Sequence, residues 1–173
     1  GFVLATIHRD QNTDNPQRLN AIFSTLLEIS ELHQMPIVLP LHPRTKKCLA
    51  TSLEASTYQK LMHTPLVRLI PPASFLDIVQ LEKHAKLVIT DSGGVHKEAF
   101  FFSTPSMILM NQAPWVEIVE HQAGICVDAD REQMLQAYDT LSNSIVHFPP
   151  IFGNGHAAQQ ILQEISVYLN PIK

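Results

Sequence analysis

Six short apolar runs, with helical patterns between them, restrict the fold of this chain more than any other feature. The runs span residues 3–7, 36–40, 67–70, 86–90, 106–109 and, more weakly, 124–127. Short apolar runs that alternate with helices are typical of parallel strands covered by helices on both faces. The sequence therefore predicts an α/β fold, namely a Rossmann-like, doubly wound parallel sheet of about six strands with helices on both faces.

Helical patterns fill the gaps between these runs. Asn15 and Pro16 mark a helix start, because proline is well tolerated at the first helical position, and an apolar stripe follows over 19–29. Further helices are predicted over about 46–53, 74–84, 95–102, 131–141 after Asp130, and 156–170. In the last of these we expect Ala157, Ile161, Ile165 and Tyr168 to face inwards.

The domain organisation follows from length and from the two chain ends. We predict one domain over residues 1–173, which is long enough for a well-buried core. The chain opens at Gly1, without Met, directly in a strand-like run, so we expect it to be part of a longer polypeptide. The loop at 148–150 is expected to release the final helix, 156–170, to pack on a domain outside this chain.

Composition excludes several classes of function. The net charge is −4 and there is no basic run, which argues against a nucleic-acid partner. No apolar stretch approaches the roughly 18 residues that a membrane span needs. Cys48 and Cys126 are far apart and the nine histidines are scattered, so no metal site and no cofactor is predicted. Both cysteines are expected to be reduced, which fits a cytoplasmic protein.

Residues 88–98 carry the clearest functional signal. Thr90, Asp91 and Ser92 end an apolar run, Gly93 and Gly94 are expected to form a turn, and a helical pattern begins at 95. Backbone N–H groups at such a helix start attract anions, and glycines let a phosphate approach the backbone. The alternative is an ordinary turn capped by Ser92 that needs no ligand.

The expected strand order, 3-2-1-4-5-6, would place the ends of the first and fourth strands side by side. Ligands bind at that point in doubly wound sheets. The residues that would converge there include His8 and Arg9 after the first strand, and His42 and Arg44 after the second. A guanidinium facing a helix start suits a diphosphate, because its N–H fork binds oxyanions bidentately.

Each of these residues also has a purely structural interpretation. Arg9 could pair with Asp10 or Asp14 at the surface, and Arg44 could be a solvated helix-start residue. His8 and His42 could be structural histidines, although beside a phosphate either could donate a hydrogen bond or act as a general acid.

Glu98 and Phe75 could extend the same site towards a nucleoside. Glu98 lies one helical turn beyond Gly94, where its carboxylate could accept hydrogen bonds from sugar hydroxyls. Phe75 begins its own predicted helix at the same edge of the sheet and could pack beside a base. The alternatives are a solvated glutamate and a core phenylalanine.

At these residues the sequence resembles the C-terminal domain of the non-hydrolysing UDP-N-acetylglucosamine 2-epimerases. The most specific piece is Thr-Asp-Ser-Gly-Gly-Val at 90–95, followed by Lys-Glu-Ala at 97–99. The other pieces are weak singly but occur in family order, at 5–9 with Asn12, 41–43, 69–72, 115–117 and 153–158.

The resemblance implies one half of a GT-B architecture, in which two Rossmann-like domains enclose the active site and this half holds UDP. It implies inversion at C2 of the sugar by anti elimination of UDP and syn re-addition, with the acid/base carboxylates in the other domain. It implies a UDP-sugar ligand, a first domain in cis and a homodimer. By position, the expected UDP contacts are Arg9, His42, Ser92, Gly93, Gly94 and Glu98, with Phe75 near uracil and His8 near the diphosphate as the one catalytic candidate.

Two departures from the family pattern keep other functions open. Family members commonly have Gln where His96 stands, and Arg with acidic residues where this chain has Met-Asn-Gln-Ala-Pro at 110–114. The sugar could therefore differ, or the activity could be weaker. The alternatives are the nucleotide domain of a GT-B glycosyltransferase and a non-catalytic module that binds nucleotide sugars.

Overall fold

The computed structural model describes residues 1–169 and contains a six-stranded parallel sheet. The strand order is β3-β2-β1-β4-β5-β6, as predicted. The strands are β1 Val3–Thr6, β2 Ile37–Pro40, β3 Val67–Ile70, β4 Leu87–Thr90, β5 Ser106–Ile108 and β6 Gly124–Cys126. The strand order reverses between β1 and β4, so the crevice predicted at that point exists.

Nine helices connect and cover these strands within the described residues. They are α1 Asp10–Thr13, α2 Pro16–Leu32, α3 Pro43–Ser52, α4 Ala55–His63, α5 Phe75–His84, α6 Gly93–Phe101, α7 Val116–Glu120, α8 Arg131–Asn143 and α9 Ala157–Leu169. Asn15 caps α2 by accepting hydrogen bonds from two backbone N–H groups, and Pro16 is the first helical residue, as its fixed φ favours.

Side chains of the strands alternate between two helical layers. In β1, Val3 and Ala5 join the larger apolar core, whereas Leu4 joins a smaller core on the other face. The larger core is formed with α2 and α8, and the smaller one with α5 and α6. Burial on both faces explains why the strands read as continuous apolar runs rather than as an alternating pattern.

Three helices were not predicted, and two, α3 and α6, begin earlier than expected. Helices α1 and α7 are single turns, and α4 carries only two buried residues, so none has the apolar stripe that reveals a helix in sequence. Helix α3 begins at Pro43 rather than near 46, because His42 caps its first turn.

The prediction that the apolar residues of the final helix face inwards is wrong for the described chain. Helix α9 has no buried residue, and Ile161, Leu162, Ile165 and Tyr168 are exposed. Position 170, the last of the predicted helix, and positions 171–173 of the predicted domain lie outside the described residues. The loop before α9 packs onto the domain instead, where Phe148 and Phe152 contact Phe100. Within residues 1–169 no helix is long and apolar enough to cross a membrane.

Candidate functional site

The carboxyl ends of β1 and β4 lie directly beside each other. Thr6 pairs with Thr90 in the sheet register, and their hydroxyl oxygens are 2.6 Å apart. The loop after each strand therefore starts from the same point of the sheet edge. This arrangement brings His8 and Arg9 together with Ser92 and the α6 start, as the sequence predicted.

Asp91 ties the two loops together. Its carboxylate is fully buried and accepts hydrogen bonds from the backbone N–H groups of His8, at 3.1 Å, and Arg9, at 3.0 Å. The side-chain amide of Asn12 donates to the same carboxylate at 3.1 Å. A buried carboxylate with several N–H donors is a rigid anchor, so the backbone at His8 and Arg9 is held against the start of α6.

The His8 imidazole is placed beside the same carboxylate. Its Nδ1 lies 3.2 Å from Oδ1 of Asp91, and the side chain is 40% exposed at the crevice. The ring centroids of His8 and His42 are 5.9 Å apart. A protonated His8 would pair with Asp91 and still present an N–H group to an anion in the crevice.

A polar chain extends from Asp91 across the sheet edge. The Asn12 amide also donates to the carbonyl of Leu109 at 3.1 Å, and its oxygen accepts from Arg18. Arg18 in turn forms an ion pair with Asp128. The hydrogen bonds between these two side chains raise the pKa of the Arg18 guanidinium and lower the pKa of Asp128. This chain links the ends of β4, β5 and β6 to α1 and α2.

The start of α6 differs in one respect from the expected turn. Gly93 and Gly94 are the first two helical residues, so the helix begins two residues earlier than predicted. Ser92 is the cap, with its hydroxyl accepting from the N–H of Val95 at 3.4 Å. Neither glycine N–H has an acceptor among the described residues, so both remain available at the helix start, a position that favours anions in proteins generally.

Trp115 fixes the position of Gly93. The indole Nε1 donates to the carbonyl oxygen of Gly93 at 2.9 Å, and the ammonium of Lys97 lies 3.6 Å from a Trp115 ring centroid. A Cβ at Gly93 would lie 3.1 Å from Pro114, whereas at Gly94 the nearest atom, in Ser92, would be 3.7 Å away. Gly93 is therefore packed against Pro114, whereas a side chain at Gly94 would fit without a clash.

The two arginines behave differently. Arg44 is not a purely solvated residue, as one interpretation had it, because it forms an ion pair with Asp14 and donates to Thr13 at 3.1 Å. Since Asp14 is paired in this way, the alternative pairing of Arg9 with Asp14 is not formed. The exposed Arg9 side chain makes no ion pair or hydrogen bond with the described residues.

The remaining predicted site residues lie on three helices beside the sheet. His42 caps the start of α3, Phe75 begins α5, and Glu98 lies within α6. The imidazole Nδ1 of His42 accepts from the N–H of Arg44 at 3.3 Å, and the ring borders a depression that also contains His8. Phe75 is 70% exposed at the start of α5, so the core interpretation of this residue is wrong. Glu98 is half-buried in α6 against Glu82, whose pKa is raised to about 8 by burial first and by Glu98 second.

His96 occupies the other face of α6. It is fully buried, with Nδ1 2.8 Å from the Ser106 hydroxyl, and its Nε2 has no partner among residues 1–169. Burial lowers the pKa of this imidazole to about 4. A Cβ at Gly124 would lie 2.9 Å from its ring, so His96 and Gly124 fit each other. His96 is a core residue and does not reach the crevice.

Sequence reasoning missed four residues that shape the site. Asp91 was noted only as a strand end, and the roles of Asn12, Arg18 and Asp128 were not expected. A polar residue directly after a buried strand, as Asp91 is, was the available signal, whereas the Arg18–Asp128 pair spans 110 positions and has none. Among the described residues no group of His, Cys, Asp and Glu is arranged to hold a metal ion.

Comparisons with known proteins assign the chain to a family. A family model described as UDP-N-acetylglucosamine 2-epimerase matches residues 1–166. The fold and the site define a Rossmann-like domain with polar loops at its strand-order reversal. The chain belongs to the UDP-N-acetylglucosamine 2-epimerase family.

Individual relatives match over almost all of this chain. A UDP-2,3-diacetamido-2,3-dideoxy-D-glucuronate 2-epimerase of Pseudomonas aeruginosa is 38% identical, covering 96% of the chain and 44% of the relative. A UDP-N-acetylglucosamine 2-epimerase of Methanocaldococcus jannaschii is 35% identical over 94% of the chain and 43% of the relative. The chain thus spans less than half the length of these curated relatives.

A solved structure also matches. The crystal structure of the M. jannaschii UDP-GlcNAc 2-epimerase in complex with UDP-GlcNAc and UDP superposes with a TM-score of 0.86 at 33% identity. The match covers 95% of this chain and 45% of that one. The six-stranded fold described above is therefore the fold of one half of such an enzyme.

Proposed function

We propose that this chain is the UDP-binding half of a UDP-N-acetylglucosamine 2-epimerase, which interconverts UDP-GlcNAc and UDP-ManNAc. One observation carries the proposal: Asp91 holds the backbone of His8 and Arg9 against the glycine start of α6. In the proposed site, the Arg9 guanidinium, which has no partner among the described residues, and the N–H groups of Gly93 and Gly94 bind a diphosphate between the two loops. Family membership and the UDP complex of the M. jannaschii relative support the same ligand.

In this proposal the nucleotide lies along α6. The diphosphate accepts hydrogen bonds from the N–H groups of Gly93 and Gly94, from the Ser92 hydroxyl and from the Arg9 guanidinium. The Ser92 N–H does not take part, because it donates to the Thr90 hydroxyl at 2.9 Å. The Glu98 carboxylate accepts from the ribose hydroxyls, since a carboxylate beside a phosphate would be repelled but one beside a diol is not. The exposed Phe75 ring packs near the uracil, and His42 borders the phosphates.

The reaction requires two events at the sugar. A base removes the proton from C2 while the bond between C1 and the diphosphate oxygen breaks, so UDP leaves and a 2-acetamidoglucal forms. UDP then adds back to C1, and C2 receives a proton on the opposite face. His8 assists the departure of UDP by donating an N–H to its phosphate, and the carboxylates that act on C2 are supplied by another domain.

The competing candidate substrate is a UDP-sugar with a different sugar. The P. aeruginosa relative is named for a diacetamido glucuronate rather than for N-acetylglucosamine. This chain also lacks the Arg and acidic residues expected at 110–114, the loop that packs on Gly93. We therefore infer that the identity of the sugar is read near this loop, and both UDP-sugars belong in the assay.

Calorimetry with UDP tests the nucleotide site. Arg9→Ala and Glu98→Ala are each expected to weaken binding by about 1–3 kcal/mol, because each removes a hydrogen bond to the ligand. The exposed Arg68 on the edge strand β3 provides the matched control, and Arg68→Ala is expected to bind like the wild type. Unchanged affinity in Arg9→Ala and Glu98→Ala would contradict the site.

Proton exchange tests the reaction. The full-length protein in deuterated water is expected to incorporate deuterium at C2 of UDP-GlcNAc, or of the diacetamido glucuronate if that is its substrate, as followed by NMR. UDP binding without exchange in either sugar would favour the glycosyltransferase or the non-catalytic alternative. If the first domain is catalytic but its sequence lacks the acid/base carboxylates of the epimerases, the glycosyltransferase alternative is favoured.

The same proposal includes the partners of this domain. The relatives are more than twice as long as the matched region, so we propose a first domain in cis that closes the cleft over the sugar. The exposed apolar residues of α9 are the surface that packs on it. We also propose a homodimer and a cytoplasmic location, and these two parts of the proposal rest only on family membership.

A further inference from the structure

Glu82 is a buried carboxyl group with no donor. It lies in the second half of α5 and is 0% exposed, which is rare for this residue type. Among residues 1–169 no N–H or O–H group donates to either carboxyl oxygen, and none of the described cations pairs with it. An ionised carboxylate without partners is strongly disfavoured in such a place, so Glu82 is held in its neutral form.

The group that faces Glu82 is the carboxyl of Glu98. Helices α5 and α6 pack against each other, and Glu98 is the charged group that acts on Glu82 across this contact. The turn after α6 contributes Thr104, whose hydroxyl donates to the Glu82 carbonyl at 3.0 Å and carries no charge. Two carboxyl groups attract each other only when one holds a proton, and the buried one is the one that keeps it.

We propose that neutral Glu82 is a positioning residue for the ribose, donating its carboxyl proton to Glu98 in a hydrogen bond that orients the Glu98 carboxylate. The inference rests on the proposed UDP site. No covalent bond changes, and the proton stays shared between the two carboxyl groups. The hydrogen bond occupies one lone pair of Glu98 and leaves the others for the two ribose hydroxyls.

Orientation matters here because Glu98 is a long side chain at a half-exposed position. Holding it in one rotamer before the ligand arrives removes part of the entropic cost of binding. The effect is specific to the ribose diol and does not extend to the phosphates. Loss of Glu82 is therefore expected to reduce the preference for UDP over 2′-deoxy-UDP.

The same arrangement makes ribose binding depend on pH. Burial and Glu98 raise the pKa of Glu82 to about 8. Above that pH the two carboxylates repel each other and Glu98 loses its fixed orientation. The terminal phosphate of the ligand ionises near pH 6, so its charge is constant between about pH 7 and about pH 8.5.

The test compares four forms of the full-length protein by calorimetry with UDP and with 2′-deoxy-UDP. Glu82→Gln keeps a donor that cannot ionise, Glu82→Met keeps the volume without a donor, and Glu31→Gln on the exposed end of α2 is the matched control. Glu82→Gln is expected to keep the affinity and preference of the wild type at neutral pH and to lose the fall in affinity towards about pH 8.5. Glu82→Met is expected to bind UDP about tenfold more weakly, with a smaller loss for 2′-deoxy-UDP.

Each result decides the proposal. Glu82→Met with the wild-type preference for UDP would show that Glu82 only fills space, and would overturn it. If Glu82→Met does not fold, the pH profile decides: a fall in Glu82→Gln equal to that of the wild type would overturn the proposal. A wild-type protein that binds no UDP would instead refute the UDP site itself, and with it this inference.

Discussion

Asp91 is a single residue on which the geometry of the crevice depends. It connects the loop after β1 to the loop after β4 by hydrogen bonds to backbone and side-chain N–H groups. The backbone N–H groups of His8 and Arg9 have no other acceptor among the described residues, whereas the Asn12 amide also donates to the carbonyl of Leu109. Hydrogen bonds to a charged acceptor are stronger than neutral ones, and their loss leaves buried donors unpaired.

Replacement of this carboxylate is expected to destabilise the domain. Asp91→Ala is expected to lower the free energy of unfolding by about 3 kcal/mol, because the N–H groups of His8, Arg9 and Asn12 lose their acceptor. Urea denaturation measures the change. Asp10→Ala, which removes an exposed carboxylate, serves as control and is expected to change stability by less than about 0.5 kcal/mol. A loss below about 1 kcal/mol for Asp91→Ala would contradict the role given to Asp91.

His96 is expected to make the domain sensitive to acid. Burial lowers its pKa to about 4, while in the unfolded chain it titrates near 6.5. The unfolded state therefore binds a proton first, and the stability present above pH 6.5 is lost as the pH falls towards 4. His96→Gln is expected to show a smaller drop in thermal midpoint between about pH 7 and about pH 5 than the wild type. His63→Gln, at an exposed position, controls for the loss of a histidine, and an equal drop in all three proteins would refute this assignment.

At the scale of elements, the two glycines at the start of α6 have different surroundings. Gly93 is close to Pro114 and its carbonyl accepts a hydrogen bond from Trp115, whereas a Cβ at Gly94 would make only an ordinary van der Waals contact with Ser92. In the proposed site, Gly94, the glycine that packing does not require, is the one that a phosphate would approach closely. The two positions are therefore expected to respond in opposite ways to the same substitution.

Alanine at each position tests this difference. Gly94→Ala is expected to be neutral or to stabilise the domain by up to about 1 kcal/mol, since alanine is the better helix former, yet to weaken UDP binding because its methyl group occupies the phosphate approach. Gly93→Ala is expected to destabilise the domain, because its Cβ would press on Pro114. Thermal unfolding measures the stability of each variant, and calorimetry measures its affinity for UDP. Wild-type UDP affinity in Gly94→Ala would contradict the placement of the diphosphate.

At the scale of the whole molecule, the sheet could be predicted from the sequence and part of the site could not. The central strands β1 and β4 are apolar runs buried on both faces, which makes them visible without tertiary information, and the edge strands β3 and β6 are less buried. The single-turn helices α1 and α7 have no such pattern. The convergence of Arg9 with the α6 start followed from strand order, whereas the links from Asp91 to Asn12 and from Arg18 to Asp128 depend on side-chain positions that no local pattern encodes.

The exposed face of α9 carries a prediction about the larger protein. In this chain alone, Leu162→Lys is expected to change the free energy of unfolding by less than about 0.5 kcal/mol, because Leu162 is 63% exposed. In the full-length protein the same change is expected to lower the thermal midpoint, because the charge would be buried against the first domain. Gln163→Lys adds the same charge at the neighbouring position and serves as control. If the two full-length variants have the same thermal midpoint, the apolar face of α9 is in contact with solvent and not with the first domain.

The contact between Trp115 and Gly93 gives the domain a built-in optical probe. This indole is the only one in the chain, and it donates its N–H to the residue at which the proposed diphosphate would sit. Emission from the intact domain therefore comes from one place, with a lysine ammonium over the ring. Occupancy of the crevice can be followed as a change in intrinsic fluorescence, without a label and without interference from a second fluorophore of the same kind.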